Sequence, residues 1–171
     1  VMARLFRISF SGELAYEIAV PTQYGNALFD ALLSVGKEFN AVPYGTEALG
    51  VMRIEKGHAA GNEINGHTTA QNLGLSRMIS KKADSIGNIL SERDGFNRSD
   101  IEPLSGFKPV QRNKKLEAGS HLISAGKKPT MENDEGWLSS VAFSPTLGHY
   151  IALGFIKRGE TRIGEKVCAV N

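Results

Sequence analysis

Residues 5–20 read LFRISFSGELAYEIAV, and this stretch sets the fold class. Apolar and polar residues alternate from Leu5 to Phe10, with Phe6, Ile8 and Phe10 on one face and Leu5, Arg7 and Ser9 on the other. Alternation of period two predicts a β-strand. Ser11-Gly12-Glu13 is a turn signal, and Tyr16–Val20 alternates again, so the two runs predict a β-hairpin. Pro21 ends the second strand. Leu28, Phe29, Leu32, Leu33 and Phe39 then recur at helical spacing, with Thr22 as a candidate N-cap. Pro43 and Gly45 punctuate, and Thr46 is placed to cap a second helix carrying Ala48, Leu49, Met52 and Arg53 and ending near Gly57. Strand, strand, helix, helix is half of an α+β layer, so further strands are expected from sequence upstream of Val1.

Gly57–Gly74 is rich in Gly, Asn, His and Thr and predicts a loop. Lys81–Pro103 is polar, a connector with one short helix near Ile86–Arg93. Beyond Leu104 the period changes. Short runs at Phe107–Gln111, His121–Ser124, Leu138–Ser144, Ile151–Ile156 and Lys166–Val170 are separated by Gly, Pro, Asn and Asp. That spacing predicts a small antiparallel barrel or sandwich. The expected division is residues 1–103 and residues 104–171.

Composition excludes several classes. The 171 residues carry a net charge of only +2, which gives no reason to expect nucleic acid or an anionic membrane as partner. No apolar run is long enough to cross a bilayer and no signal-peptide pattern is present, so a cytoplasmic location is expected. The single cysteine, Cys168, lies in the apolar run Val167–Val170 and is expected to be a buried small hydrophobe. His58, His67, His121 and His149 show no metal-ligand spacing, and no nucleophile–base constellation is visible, so neither a metal site nor a catalytic residue is assigned. The glycine-containing segments lack the dinucleotide and phosphate-loop patterns. The chain opens and closes on strand-like runs, and is expected to be a fragment of a larger polypeptide.

Two charges occupy unusual places. Glu17 lies within a strand-like run, and Arg53 shares a helical face with Leu49 and Met52. Such groups are seldom found there unless they pair with each other, reach solvent or bind something polar.

The motifs Arg7–Glu17 (RISFSGELAYE) and Gly45–Gly57 (GTEALGVMRIEKG), followed by Phe143–Phe155 (FSPTLGHYIALGF), resemble the folate-dependent aminomethyltransferase family. That family includes the glycine-cleavage T-protein and the folate-binding part of sarcosine and dimethylglycine oxidases. Pro43–Glu47 and Arg53–Gly57 are most similar to its branch in the α subunit of heterotetrameric sarcosine oxidase. The resemblance implies part of a folate-binding α/β layer followed by a C-terminal barrel. It implies tetrahydrofolate as the cofactor of this region, with Glu17 and Arg53 lining the folate cavity. Phe10 stands where many members carry Tyr, either packed on a folate ring or simply a strand core residue. A carboxylate suits the pterin edge, because its two oxygens can accept from adjacent N–H donors. His67-Thr68-Thr69 takes the place of the family's T-x-P loop, with Ala70 at the Pro position. The family's key aspartate belongs to the N-terminal part of the module. None of Asp30, Asp84, Asp94, Asp100 and Asp134 lies in its motif context, so this chain alone is expected to be inactive.

For the holoenzyme, the resemblance implies flavin and NAD outside this chain and other oxidase subunits as partners. The one-carbon unit of an N-demethylated amine would be captured as 5,10-methylenetetrahydrofolate. A T-protein and a non-catalytic folate-binding or assembly module are the alternatives.

Overall fold

The computed structural model describes residues 1–80, 85–96 and 101–171. The expected connector over Lys81–Pro103 falls partly outside them, as do Asp84 and Asp100. The chain divides into two compact units, Val1–His58 and Ala59–Asn171.

In the first unit the hairpin is present but short. Strands β1 (Arg4–Phe6) and β2 (Glu17–Ala19) pair antiparallel, with Leu5 opposite Ile18 and Phe6 opposite Glu17. The expected strand to Phe10 stops at Phe6, and residues 7–16 form a wide loop instead. Gly12 lies in that loop. It has φ +82°, and a Cβ there would lie 2.4 Å from the Lys56 methylenes, so the lysine stem packs across the glycine.

Helix α1 spans Gly25–Gly36 and α2 spans Thr46–Lys56. Neither expected threonine cap is used. Pro21 starts a 3₁₀ turn over Thr22–Tyr24, so α1 begins three residues after Thr22, while Gly45 takes the N-cap position of α2 and Thr46 becomes its first helical residue. At the other end of α2, Gly57 adopts φ +78°. Its N–H donates to the Ile54 carbonyl at 3.0 Å, and the His58 N–H donates to the Arg53 carbonyl at 2.8 Å. This left-handed closure is a glycine's role and reverses the chain over the last helical turn.

The first unit has almost no core. Helix α1 buries no residue, and β1 and β2 are exposed on both faces. Leu5, Phe29 and Val35 are 63%, 55% and 64% exposed. An isolated two-stranded hairpin is marginal in water, and helices owe most of their stability to a packed face. The 171 residues on their own are therefore expected to self-associate. Light scattering over a concentration series checks this, and a monodisperse monomer with exchange-protected β1–β2 amides refutes it.

The second unit holds a short helix α3 (Ile86–Ser91) and a five-stranded antiparallel sheet. Ser85 caps α3, its Oγ accepting from the Asn88 N–H at 3.3 Å. The strands are β3 (Leu104–Phe107), β4 (His121–Ser124), β5 (Asp134–Ser144), β6 (His149–Ile156) and β7 (Val167–Val170), ordered β3-β6-β5-β4-β7. The strand expected at Phe107–Gln111 instead ends at Phe107, because Pro109 has no N–H to donate to a ladder. Ser144 makes the β5–β6 turn, its Oγ accepting from the Leu147 N–H at 2.9 Å and its carbonyl from the Gly148 N–H at 2.9 Å.

Leu122, Leu138, Ala152 and Ile156 form the core, with Phe107, Leu116, Val141 and Val167 packed around them. Cys168 is exposed, contrary to expectation. Strand β7 lies at the sheet edge, and with Val167 turned to the core the next residue faces the other way.

Gly154 carries a prediction. It lies opposite Leu138, and a Cβ there would fall 2.4 Å from the Trp137 carbonyl oxygen. Gly154→Ala must push two central strands apart and is expected to destabilise this unit by about 1–3 kcal/mol, the usual range for overpacking. Urea denaturation followed by far-ultraviolet circular dichroism checks it, and an unchanged midpoint refutes it.

Candidate functional site

Arg53 is buried on α2 at 8% exposure, a rare state for a guanidinium. One of its groups, Nη1, donates to the His58 carbonyl at 3.4 Å, five residues on. The Gly57 closure makes this possible by folding His58 back over the end of the helix. The His58 ring in turn meets Phe10 edge-on, with centroids 5.1 Å apart at 66°. Phe10 is therefore neither a strand residue nor a core residue. It sits in the wide loop, 39% exposed, its ring against the imidazole.

The structure thus brings Phe10 and Arg53 together through His58, a residue the sequence reading left among scattered histidines. The signal available was the R-x-x-x-G-H spacing, in which a left-handed glycine returns the next residue to the arginine. Glu17 enters through β2 alone, paired in the backbone with Phe6 and with its side chain exposed. Among the described contacts, Arg53, His58 and Phe10 are linked to one another, and Glu17 is not joined to them.

In the second unit sequence reasoning missed a buried carboxylate. Glu63 is fully buried. Its Oε1 accepts from Ser139 Oγ at 2.5 Å and Ser140 Oγ at 2.6 Å, and its Oε2 accepts from the Ala60 N–H at 2.9 Å. Consecutive strand residues ordinarily point to opposite faces. Here the register slips between Leu138 and Ser140, a β-bulge that leaves both serines buried and on one carboxylate. Glu63 thereby locks the loop from Ala60 onward to β5. Thr68, in the His67-Thr68-Thr69 segment, donates from Oγ1 to the Glu63 carbonyl at 2.8 Å, so the loop is held although Ala70 replaces the expected Pro.

A second polar node sits between β4, β5 and the turn before β7. Arg162 Nη1 lies 2.8 Å from Glu135 Oε2, and its Nε and Nη2 donate to the two oxygens of Glu165 at 2.6 and 3.1 Å. Burial pushes the Glu135 carboxyl up, but the Ser124 hydroxyl and the Arg162 guanidinium outweigh it and hold it below the ordinary carboxylate value. The hydrogen bond from Arg162 likewise lowers Glu165, and the bond to Glu165 raises Arg162. This node closes the segment between β6 and β7 and reads as structural.

Among the described residues no helix is long and apolar enough to cross a membrane. Residues 1–83 match the GCVT N-terminal domain, and residues 103–170 match the glycine cleavage T-protein C-terminal barrel domain. Sarcosine oxidase subunit alpha of Rhizobium meliloti (strain 1021) is 47% identical over 164 residues, covering 95% of this chain and 17% of that protein. Aminomethyltransferase of Halothermothrix orenii is 28% identical over 171 residues, covering 96% of this chain and 44% of that protein. The crystal structure of glycine cleavage system aminomethyltransferase T from Bartonella henselae superposes with a TM-score of 0.78 at 25% identity, over 98% of this chain and 45% of that one. The chain spans less than half the length of each relative. By both domain matches in order, and by homologues that cover nearly all of it, the chain belongs to the T-protein-like aminomethyltransferase family and is homologous to a segment of sarcosine oxidase subunit alpha.

Proposed function

We propose that this chain is the tetrahydrofolate-binding part of a sarcosine oxidase α-type subunit. The 47% identity with an oxidase subunit, against 28% with an aminomethyltransferase, favours this over a T-protein working with a carrier protein. The observation that carries it is the buried Arg53, backed by His58 and Phe10, in a unit that otherwise buries little. A guanidinium is the group whose planar fork suits a carbonyl or carboxylate.

Residues 1–103 contribute to the folate cavity and residues 104–171 form the barrel. In the cavity Phe10 supplies a ring face, Arg53 a donor edge and Glu17 an acceptor. Bound tetrahydrofolate supplies the amines that take up the one-carbon unit. Capture then needs positioning more than acid catalysis, and these residues supply positioning. The remaining polypeptide and the other oxidase subunits are the partners, and the flavin and NAD of such an oxidase lie outside this chain. The assembly is assigned to the cytoplasm.

Folate titration of the full-length protein, followed by ligand fluorescence, tests the reading. Arg53→Lys keeps the charge but loses the planar fork, and is expected to bind tetrahydrofolate more weakly than wild type. Equal affinity refutes the assignment.

A further inference from the structure

The covered face of β5–β6 in the second unit holds a recess of about 240 Å³ that the folate reading does not use. Trp137 and Phe155 are cross-strand partners and form its aromatic wall, their ring centroids 5.6 Å apart and tilted by 33°. The loop locked down by Glu63 forms the opposite wall through Asn65, Thr68 and Asn72.

That wall is built in advance. Thr68 Oγ1 donates to the Glu63 carbonyl and accepts from the Asn65 N–H at 3.1 Å. Asn72 Oδ1 accepts from the Thr69 N–H at 2.9 Å and hydroxyl at 2.8 Å. Asn72 Nδ2 donates to the Glu102 carbonyl at 3.0 Å, which pins Glu102 at the recess. The loop's hydroxyl and amides are largely engaged with one another, so they fix shape rather than offer a strong unmet bond. The Glu102 side chain differs. It is half-buried, and no hydrogen bond or ion pair engages its carboxylate among the described residues. His67, exposed, completes the rim as the second titratable group.

An anion would meet an uncompensated carboxylate, and a neutral guest would cover it without pairing it. A cation with apolar substituents answers both walls: its charge faces Glu102 and the tryptophan ring, and its alkyl groups lie against the aromatic pair. Tryptophan is the best of the ring partners for such a charge. We infer that this recess binds a small organic cation of the alkylammonium class. None of Phe10, Glu17 and Arg53 lines this recess, so its failure would leave the folate reading standing.

Titration calorimetry on the full-length protein without folate tests it, with trimethylammonium chloride as probe and tert-butanol as the neutral counterpart of similar shape. The expected result is saturable binding of trimethylammonium, with tert-butanol at least about tenfold weaker. Glu102→Gln should remove that difference, and Trp137→Phe should keep the fold but weaken the cation several-fold. His67→Ala should change the affinity less than about twofold, the rim being exposed. Absence of binding, equal affinity for the two probes, or wild-type affinity in Glu102→Gln overturns the proposal.

Discussion

Arg53→Ala in the full-length protein is expected to weaken tetrahydrofolate binding by about ten- to a hundredfold and to leave flavin reduction by the amine unchanged. A hydrogen bond to a charged group is worth about 1.5–3 kcal/mol, which converts to that range of affinity. Arg53 is buried and braced at the His58 carbonyl, so its loss is not made good by solvent. Glu17→Ala should act in the same direction but less strongly, because its side chain is exposed. On the proposed reading the amine is still oxidised, and its one-carbon unit leaves as formaldehyde rather than methylenetetrahydrofolate. Both products are to be measured at fixed folate. An unchanged split removes Arg53 and Glu17 from the folate cavity. Collapse of flavin reduction would place them on the oxidase side and overturn the function proposed for the module.

The second large effect belongs to Arg162. Its side chain is 9% exposed and Glu135 is 15% exposed, so removing the guanidinium leaves a nearly buried carboxylate uncompensated. Arg162→Ala is expected to cost about 3 kcal/mol, the low end for a broken buried pair because some solvent reaches Glu135. The effect has a pH signature. The carboxyls of Glu135 and Glu165 are both held below 4.5 in the folded protein. Groups with lowered folded values contribute stability in full above the unfolded value and lose it as pH falls through the folded one. The difference between wild type and Arg162→Ala should therefore be full at neutral pH and shrink in acid below 4.5. Urea denaturation at the two pH values decides it. A gap that persists undiminished in acid would show that Arg162 acts through packing of its stem rather than through its charge.

The elements of this protein were legible from its sequence where local periodicity and tertiary demand agree. His121–Ser124, a short run bounded by turn residues, is strand β4 to the residue, and the β5–β6 hairpin follows from its apolar runs and the Ser-Pro-Thr-Leu-Gly turn. The apolar spacing from Thr46 placed α2, and Gly57 marked its end; that Gly57 closes the helix in a left-handed conformation is what the structure adds. Family membership was also legible, since three motifs in order are a property of the sequence. Some misses were local, as at Pro109, which ends β3, and at Pro21, which delays α1; others depended on residues distant in sequence. Strand β1 stops at Phe6 while Lys56 lies across Gly12, fifty residues from Phe6, and Cys168 faces out at a sheet edge.

The site divides along the same line. That Arg53 is unusual could be seen from its helical face, but that His58 supports it and presents a ring to Phe10 depends on a backbone reversal no periodicity encodes. Glu63 shows the limit most clearly. In sequence it is one acid in a polar loop. In the fold it is fully buried, because a single-residue bulge 76 positions away turns two serines toward it. Local sequence determines which backbone conformations are cheap. Which polar groups are buried, and with what, is decided only when distant strands meet, because the cost of burial depends on the partner found there.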